Sequence, residues 1–194
     1  LGNHTGNGLG VYRSDDGLLG LGNGLMLDSG TFDSSGVGIV EVVDSATATV
    51  TDVTNLGEMG IRGGGSFLLL TGPMTNDGTL TINSNMNVFN AHLLFENSSA
   101  VINGTGTVRM QTQGDIGDAQ MYTSGMFNGT IGSGQTVAGA GQIDGRADGT
   151  IVNNGVIDGD DPVNELRLRG KHDGSGGGVY RSTGGVLGLS SGLV

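Results

Sequence analysis

The chain has 194 residues, of which 41 are glycine, 35% are hydrophobic and only 4% are aromatic, with no cysteine and no tryptophan. Nineteen acidic against eight basic residues give a net charge of −11, which repels phosphate backbones and anionic lipid surfaces and excludes a nucleic-acid-binding role. Glycine at this density excludes long helices, since each interior glycine costs about 1 kcal/mol against alanine; two unperiodic prolines exclude collagen; and no apolar run reaches the ~18 residues of a membrane helix, so no membrane insertion is expected.

Taken from the N-terminus, a phrase Gly10-Val11-Tyr12-Arg13-Ser14 leads into Leu19-Gly20-Leu21 and Gly24-Leu25. Residues 37–43 are then nearly continuous apolar. Ala46, Ala48 and Val50 alternate with Thr47, Thr49 and Thr51, a period of two that puts aliphatics on one side of a strand and hydroxyls on the other. Residues 66–71 read as a strand buried on both sides, stopped by Gly72-Pro73. Short runs follow at Leu80 and Ile82, at Val88, from Leu93 to Phe95, at Val101-Ile102, and at Val108 with Met110. Leu166 and Leu168 alternate with Glu165, Arg167 and Arg169. No glycine-free stretch keeps i, i+3, i+4 spacing, so the chain is expected to be nearly all β.

The opening phrase returns as Gly178-Val179-Tyr180-Arg181-Ser182 with Leu187-Gly188-Leu189 and Gly192-Leu193, every part at the same offset that separates Gly10 from Gly178. Laying residues 2–26 on 170–194 matches 15 of 25 columns without a gap, His4 on His172 included. A fixed period signals a repeat architecture whose units bury their faces against neighbours. Residues 1–194 therefore read as one solenoid segment: one 168-residue period plus the start of the next. A shorter rhythm runs inside it. Gly-Thr-aliphatic phrases stand at Gly78-Thr79-Leu80, Gly106-Thr107-Val108, Gly129-Thr130-Ile131 and Gly149-Thr150-Ile151, and Gly141-Gln142-Ile143-Asp144-Gly145 is echoed by Gly155-Val156-Ile157-Asp158-Gly159.

These phrases, clearest from Gly78 to Gly159, resemble coils of bacterial right-handed parallel β-helix surface proteins of the autotransporter-passenger and filamentous-adhesin type. The resemblance implies a right-handed parallel β-helix with Gly/Asn/Asp-rich turns and an extracellular, cell-surface location. With ~22 residues per coil, a period would hold seven or eight coils and extend the axis by roughly 35–40 Å at the ~4.8 Å strand spacing. Leu1 is not methionine and no charged-then-apolar leader follows, so either a leader has been removed or the chain is an excerpt.

Candidate sites are few. Asp158, Asp160 and Asp161 cluster in one turn; such carboxylates can bind Ca²⁺ or act as an acid and base on a glycosidic bond, and the simpler alternative is a solvated acidic turn. The acidic pair Asp15-Asp16 becomes Thr183-Gly184 one period on, and the only lysine, Lys171, becomes Asn3. Of the motifs of pectin-cutting β-helix enzymes only Asp-Asp is present, so the expectation is no catalysis and no cofactor, with Ca²⁺ as the one candidate ion. His4 and His172 lack a second histidine at ligand spacing and read as hydrogen-bonded turn residues. Tyr12, Arg13, Tyr180 and Arg181 suit a contact between units, or a tyrosine that caps the core of one coil. Asn3, Asn97, Asn103 and Asn128 open Asn-x-Ser/Thr glycan acceptor patterns, and Asn83, Asn85, Asn87 and Asn90 suit a stacked amide ladder. The expected function is mechanical: a subunit of an extracellular filament or adhesin stalk, joined head-to-tail to identical subunits or adjacent repeats. The alternative is a tailspike-like β-helix that binds or cleaves surface glycans.

Overall fold

Runs of four or five residues are too short to bury a core alone, so each must lie against equivalents from elsewhere in the chain. The computed structural model describes residues 3–5, 10–87 and 89–190. They wind into a β-solenoid of about eight turns, with 58% of residues in strands and no helix among those described. Gly2, Val88, Gly192 and Leu193, which the sequence reading used, lie outside the described residues.

Each turn supplies three strand positions, called here faces I, II and III. The first turn is β1 (Asn3–Thr5), β2 (Val11–Ser14) and β3 (Leu18–Leu21). In the second, β4 (Leu25–Ser34) bends across faces I and II and β5 (Ile39–Val42) fills face III. The third repeats this with β6 (Thr47–Asn55) and β7 (Glu58–Ile61). The next three turns, like the first, use separate strands: β8 (Ser66–Leu70), β9 (Pro73–Asn76) and β10 (Thr79–Ile82); β11 (Ala91–Phe95), β12 (Val101–Asn103) and β13 (Thr107–Met110); β14 (Ala119–Thr123), β15 (Gly129–Ile131) and β16 (Thr136–Gly139). The seventh turn is the bent β17 (Gly141–Asn153) with β18 (Val156–Asp158), and the eighth is the bent β19 (Glu165–Asp173) with β20 (Val179–Arg181). β21 (Val186–Leu189) begins a ninth turn on face I. Every ladder is parallel, and the step from one turn to the next varies in length, from as short as Val40 to Met59 to as long as Val108 to Val137.

Where β17 bends, the register shifts between Gly145 and Thr150, whereas β4 and β6 turn their corner through one left-handed residue. Ser29 (φ 61°) and Asp52 (φ 51°) do this in β4 and β6, and the register puts one above the other. A single such residue redirects the chain without ending the ladder. Inside, one continuous apolar cluster runs from Leu21 to Leu168. Ala46, Ala48 and Val50 point in and Thr47, Thr49 and Thr51 out, and Leu166 and Leu168 point in, as their alternation predicts. β8 departs from expectation: Ser66, Leu68 and Leu70 face the core, while Phe67 and Leu69 are half-buried on the outside. Burial on both sides belongs instead to β11 and β14. There Phe67 stacks on His92, Arg146 covers Tyr122 and the loop carbonyl of Gly117 accepts from Gln120.

Glycine has a positional use that composition alone does not reveal. The residue just before the face III strand is Gly17, Gly38, Gly57, Gly78, Gly106, Gln135, Gly155 and Gly178 in successive turns. A Cβ on Gly38, Gly78, Gly106 or Gly178 would lie 2.0–2.1 Å from a backbone oxygen of the preceding turn. The chain crosses so close to itself at this corner that a side chain has no room. Two of the four Gly-Thr-aliphatic phrases, at 78–80 and 106–108, are members of this column and stack in register. The other two lie on face II and are two residues out of register, with Gly129 opposite Ile151.

Candidate assembly surfaces

Both Tyr-Arg pairs place the tyrosine inward and the arginine outward. Tyr12 packs on Phe32 with ring centroids 5.9 Å apart, and Tyr180 lies in register with Ile157 and meets His172 at 6.4 Å. The arginines bridge between turns. Arg13 Nε donates to Asp33 Oδ2 at 2.9 Å, its Nη2 makes a still shorter bond to the same oxygen, and Asp33 is in the following turn. Arg181 Nε donates to Asp158 Oδ2 at 2.7 Å, and Asp158 is in the preceding turn. The hydrogen bond and charge of Asp33, with the charge of Asp15, raise the Arg13 pKa above its ordinary value. Within the chain, then, the tyrosine packs against the core and the arginine joins one turn to the next.

The acidic turn does not converge on one point. Asp158 accepts from Arg181, from Thr183 N at 3.0 Å and from Thr183 Oγ1 at 2.8 Å. Asp160 takes both oxygens to Arg109 Nη1, at 2.8 and 2.6 Å. Asp161 accepts from the backbone N–H groups of Val163 and Asn164 at 2.9 and 2.8 Å and so closes its own turn. Burial pushes the Asp158 pKa up, but the Thr183 and Arg181 bonds outweigh it and bring it below the usual carboxylate value. The Asn164 backbone bond does the same for Asp161. Among the described residues no group of three or more His, Asp or Glu side chains is placed to hold a metal ion, and these three carboxylates do not form a Ca²⁺ cage.

Of the glycan acceptor candidates, Asn103 and Asn128 are exposed. Asn128 Oδ1 accepts from Thr150 N at 3.1 Å. Asn97 is half-buried and occupied: its amide donates to Thr71 O and its oxygen accepts from Ser99 N at 2.9 Å. His172 stands in β19 rather than in a turn, with Nε2 2.9 Å from the Arg169 carbonyl, and burial lowers its pKa.

Two arrangements escaped the sequence reading. The buried amide ladder is not at residues 83–90, where Asn83 closes a local turn through Asn87 O and Asn87 N. It runs at the corner between faces II and III, where Asn55 Nδ2 donates to Asn76 Oδ1 at 2.8 Å and Asn76 Nδ2 donates to Gln135 Oε1 at 3.1 Å. Gln135 Nε2 completes it with a 2.6 Å bond to Asn76 O. Gln135 is the one break in the glycine column, and that break is the signal that marks it. The second is a stack on the outer side of face I: Phe67 on His92 at 4.3 Å, His92 edge-on to Tyr122 at 5.7 Å, and Arg146 3.4 Å above the Tyr122 ring. His92 and Tyr122 are only 9% and 7% exposed, so the stack works as outer packing and not as an open aromatic platform. Burial, with the Arg146 charge, lowers the His92 pKa to about 4.

Among the described residues, the last turns enclose a cavity beside the core. Leu168, His172, Gly174, Tyr180 and Leu189 line a cavity of about 320 Å³. Among the described residues, β20, β21 and the 171–173 part of β19 are each paired on one side only, as are β1, β2 and β3 at the other end. Comparison with protein-family models, curated proteins and solved structures returns no match to this chain.

Proposed function

We propose that this chain is a structural segment of an extracellular bacterial filament or adhesin stalk, in which solenoids continue end to end. The observation that carries the reading is the last described turn: an apolar cavity lies among Leu168, His172, Gly174, Tyr180 and Leu189, beside strands that among the described residues have one edge unpaired. Such an edge recruits another strand, and a core left open at its end is completed by another core layer. The lateral surface suits a soluble rod, since the net charge of −11 keeps rods apart sideways while leaving the ends apolar. The role is mechanical, with identical copies or adjacent repeats as partners and no chemical turnover. The resemblance of residues 78–159 to bacterial β-helix surface proteins supports the cell-surface location. Negative-stain electron microscopy and sedimentation velocity over a range of concentrations test this reading. It expects fibres of one uniform width that lengthen with concentration, and particles of a single size at every concentration would refute it.

A further inference from the structure

The two copies of the terminal phrase do not fall on the same side of the solenoid. β1 lies on face I, but its equivalent, residues 171–173, lies on face II. β2 is on face II and β20 on face III, and β3 is on face III and β21 on face I. Equivalent strands are therefore twenty-two strand positions apart, which at three per turn is seven turns and a third. At ~4.8 Å per turn the period advances about 35 Å and rotates by a third of a revolution.

A shift of face can reverse which side chains point inward, and here it does not. In the chain, His4, Tyr12, Leu19 and Leu21 pair upward with Leu27, Phe32, Val40 and Val42. Their equivalents His172, Tyr180, Leu187 and Leu189 pair downward with Ile151, Ile157, Leu166 and Leu168. All eight of these flanking residues are buried and apolar. Joining the two half-patterns therefore stacks core residue on core residue at four positions in a row. The charges fit as well. Arg13 holds Asp33 above it and Arg181 holds Asp158 below it, so the joined arginine stands between two carboxylates. Gly30, which has a left-handed φ of 144° and packs against Gly10 O, falls above Gly178 and extends the glycine column.

We propose that residues 171–189 of one copy take the place of residues 3–21 in a second copy of this chain, so that the two form one unbroken solenoid with a rise of about 35 Å and a rotation of a third of a turn. This rests on the end-to-end reading above and specifies its joint. Leu27, Phe32 and Val42 of the incoming copy cover the cavity, with Phe32 on Tyr180 as it already lies on Tyr12. The displaced first turn is replaced by equivalent contacts and regains conformational freedom, while the exposed end of the other copy is covered.

The exchange makes the two arginines unequal, which direct stacking of intact ends does not. Arg181 is inside the joint and Arg13 is on the displaced turn. Arg181→Glu is expected to raise the concentration needed for assembly at least tenfold, Arg13→Glu to lower it, because the Arg13–Asp33 pair holds the first turn in place and is broken on exchange, and the double variant Arg181→Glu/Asp33→Arg to recover most of the loss. Each is measured by sedimentation velocity, with circular dichroism to check that the solenoid persists. Helical reconstruction of wild-type fibres, which needs no variant, should give a third of a turn per copy. Fibres that respond equally to both arginine substitutions, or that show another rotation, would overturn the exchange and leave the filament reading standing. A wild-type chain that forms no fibre would overturn both.

Discussion

Replacing Gly106 with alanine probes a close approach of two successive turns. The new Cβ would lie 2.1 Å from Gly78 O and 2.7 Å from Asn76 O, against at least 3.4 Å for an ordinary contact. The fifth turn must then lift from the fourth by roughly 1.3 Å at this corner, the difference of those two distances. Two ladder bonds are anchored there, Gly106 N to Asn76 O at 2.8 Å and Thr107 N to Gly78 O at 3.0 Å. Losing them costs about 1 kcal/mol each, and the overpacking about 1–3 kcal/mol, so the sum is about 3–5 kcal/mol. Gly17 occupies the same column in the first turn, where an added Cβ meets nothing within 4 Å, and Gly17→Ala should stay within about 0.5 kcal/mol of wild type. Urea denaturation followed by circular dichroism compares the two. If Gly106→Ala unfolds at the same midpoint as Gly17→Ala, the explanation of the glycine column by close approach of successive turns is wrong.

Gln135→Leu removes one partner each from the Asn76 amide and the Asn76 carbonyl, which keep Thr107 O and Gly106 N, and should cost about 1–2 kcal/mol in the same assay. Leu93→Ala, at a fully buried site, should cost about 2–5 kcal/mol. His92 gives a pH dependence: its folded pKa of about 4 lies below the unfolded value of 6.5, so the unfolded chain binds the proton more tightly. Its contribution is complete above pH ~6.5 and is lost as pH falls from there towards 4, by about 2 kcal/mol once partial solvent screening is allowed for. Thermal melts from pH 7.5 to 4 should show this slope in wild type and a shallower one in His92→Phe. Asp158 acts lower down: its depressed folded pKa gives stability that is present above pH ~4 and is lost as pH falls through the folded value. Hydrogen exchange of residues 179–183 should accelerate there first.

The fold was legible because its cause is local. The alternation at Ala46 to Thr51 and at Glu165 to Arg169 states which side faces in, and turn residues spaced about two dozen apart state how often the chain returns. What was not legible depends on which residues lie above one another. The step between turns is uneven, short from Val40 to Met59 and long from Val108 to Val137, so no fixed spacing relates Asn55, Asn76 and Gln135, or Phe67, His92 and Tyr122. The four Gly-Thr phrases look alike in sequence, yet only two share a column, because a close crossing at one corner selects glycine while the same residues elsewhere merely turn. The acidic turn illustrates the opposite error: Asp158, Asp160 and Asp161 are neighbours in sequence, and each turns to a different partner. The rotation of the terminal phrase by one face also requires a count of strands, since the length of a period does not announce how many strand positions it fills.

The central claim is that the solenoid continues from one copy into the next. Cryo-electron microscopy of the concentrated chain tests it directly. Rods of constant width are expected, in which rungs about 4.8 Å apart run without interruption through every junction between copies. Rods with a gap or a change of axis at each junction, or isolated 19.5 kDa particles at all concentrations, would contradict it.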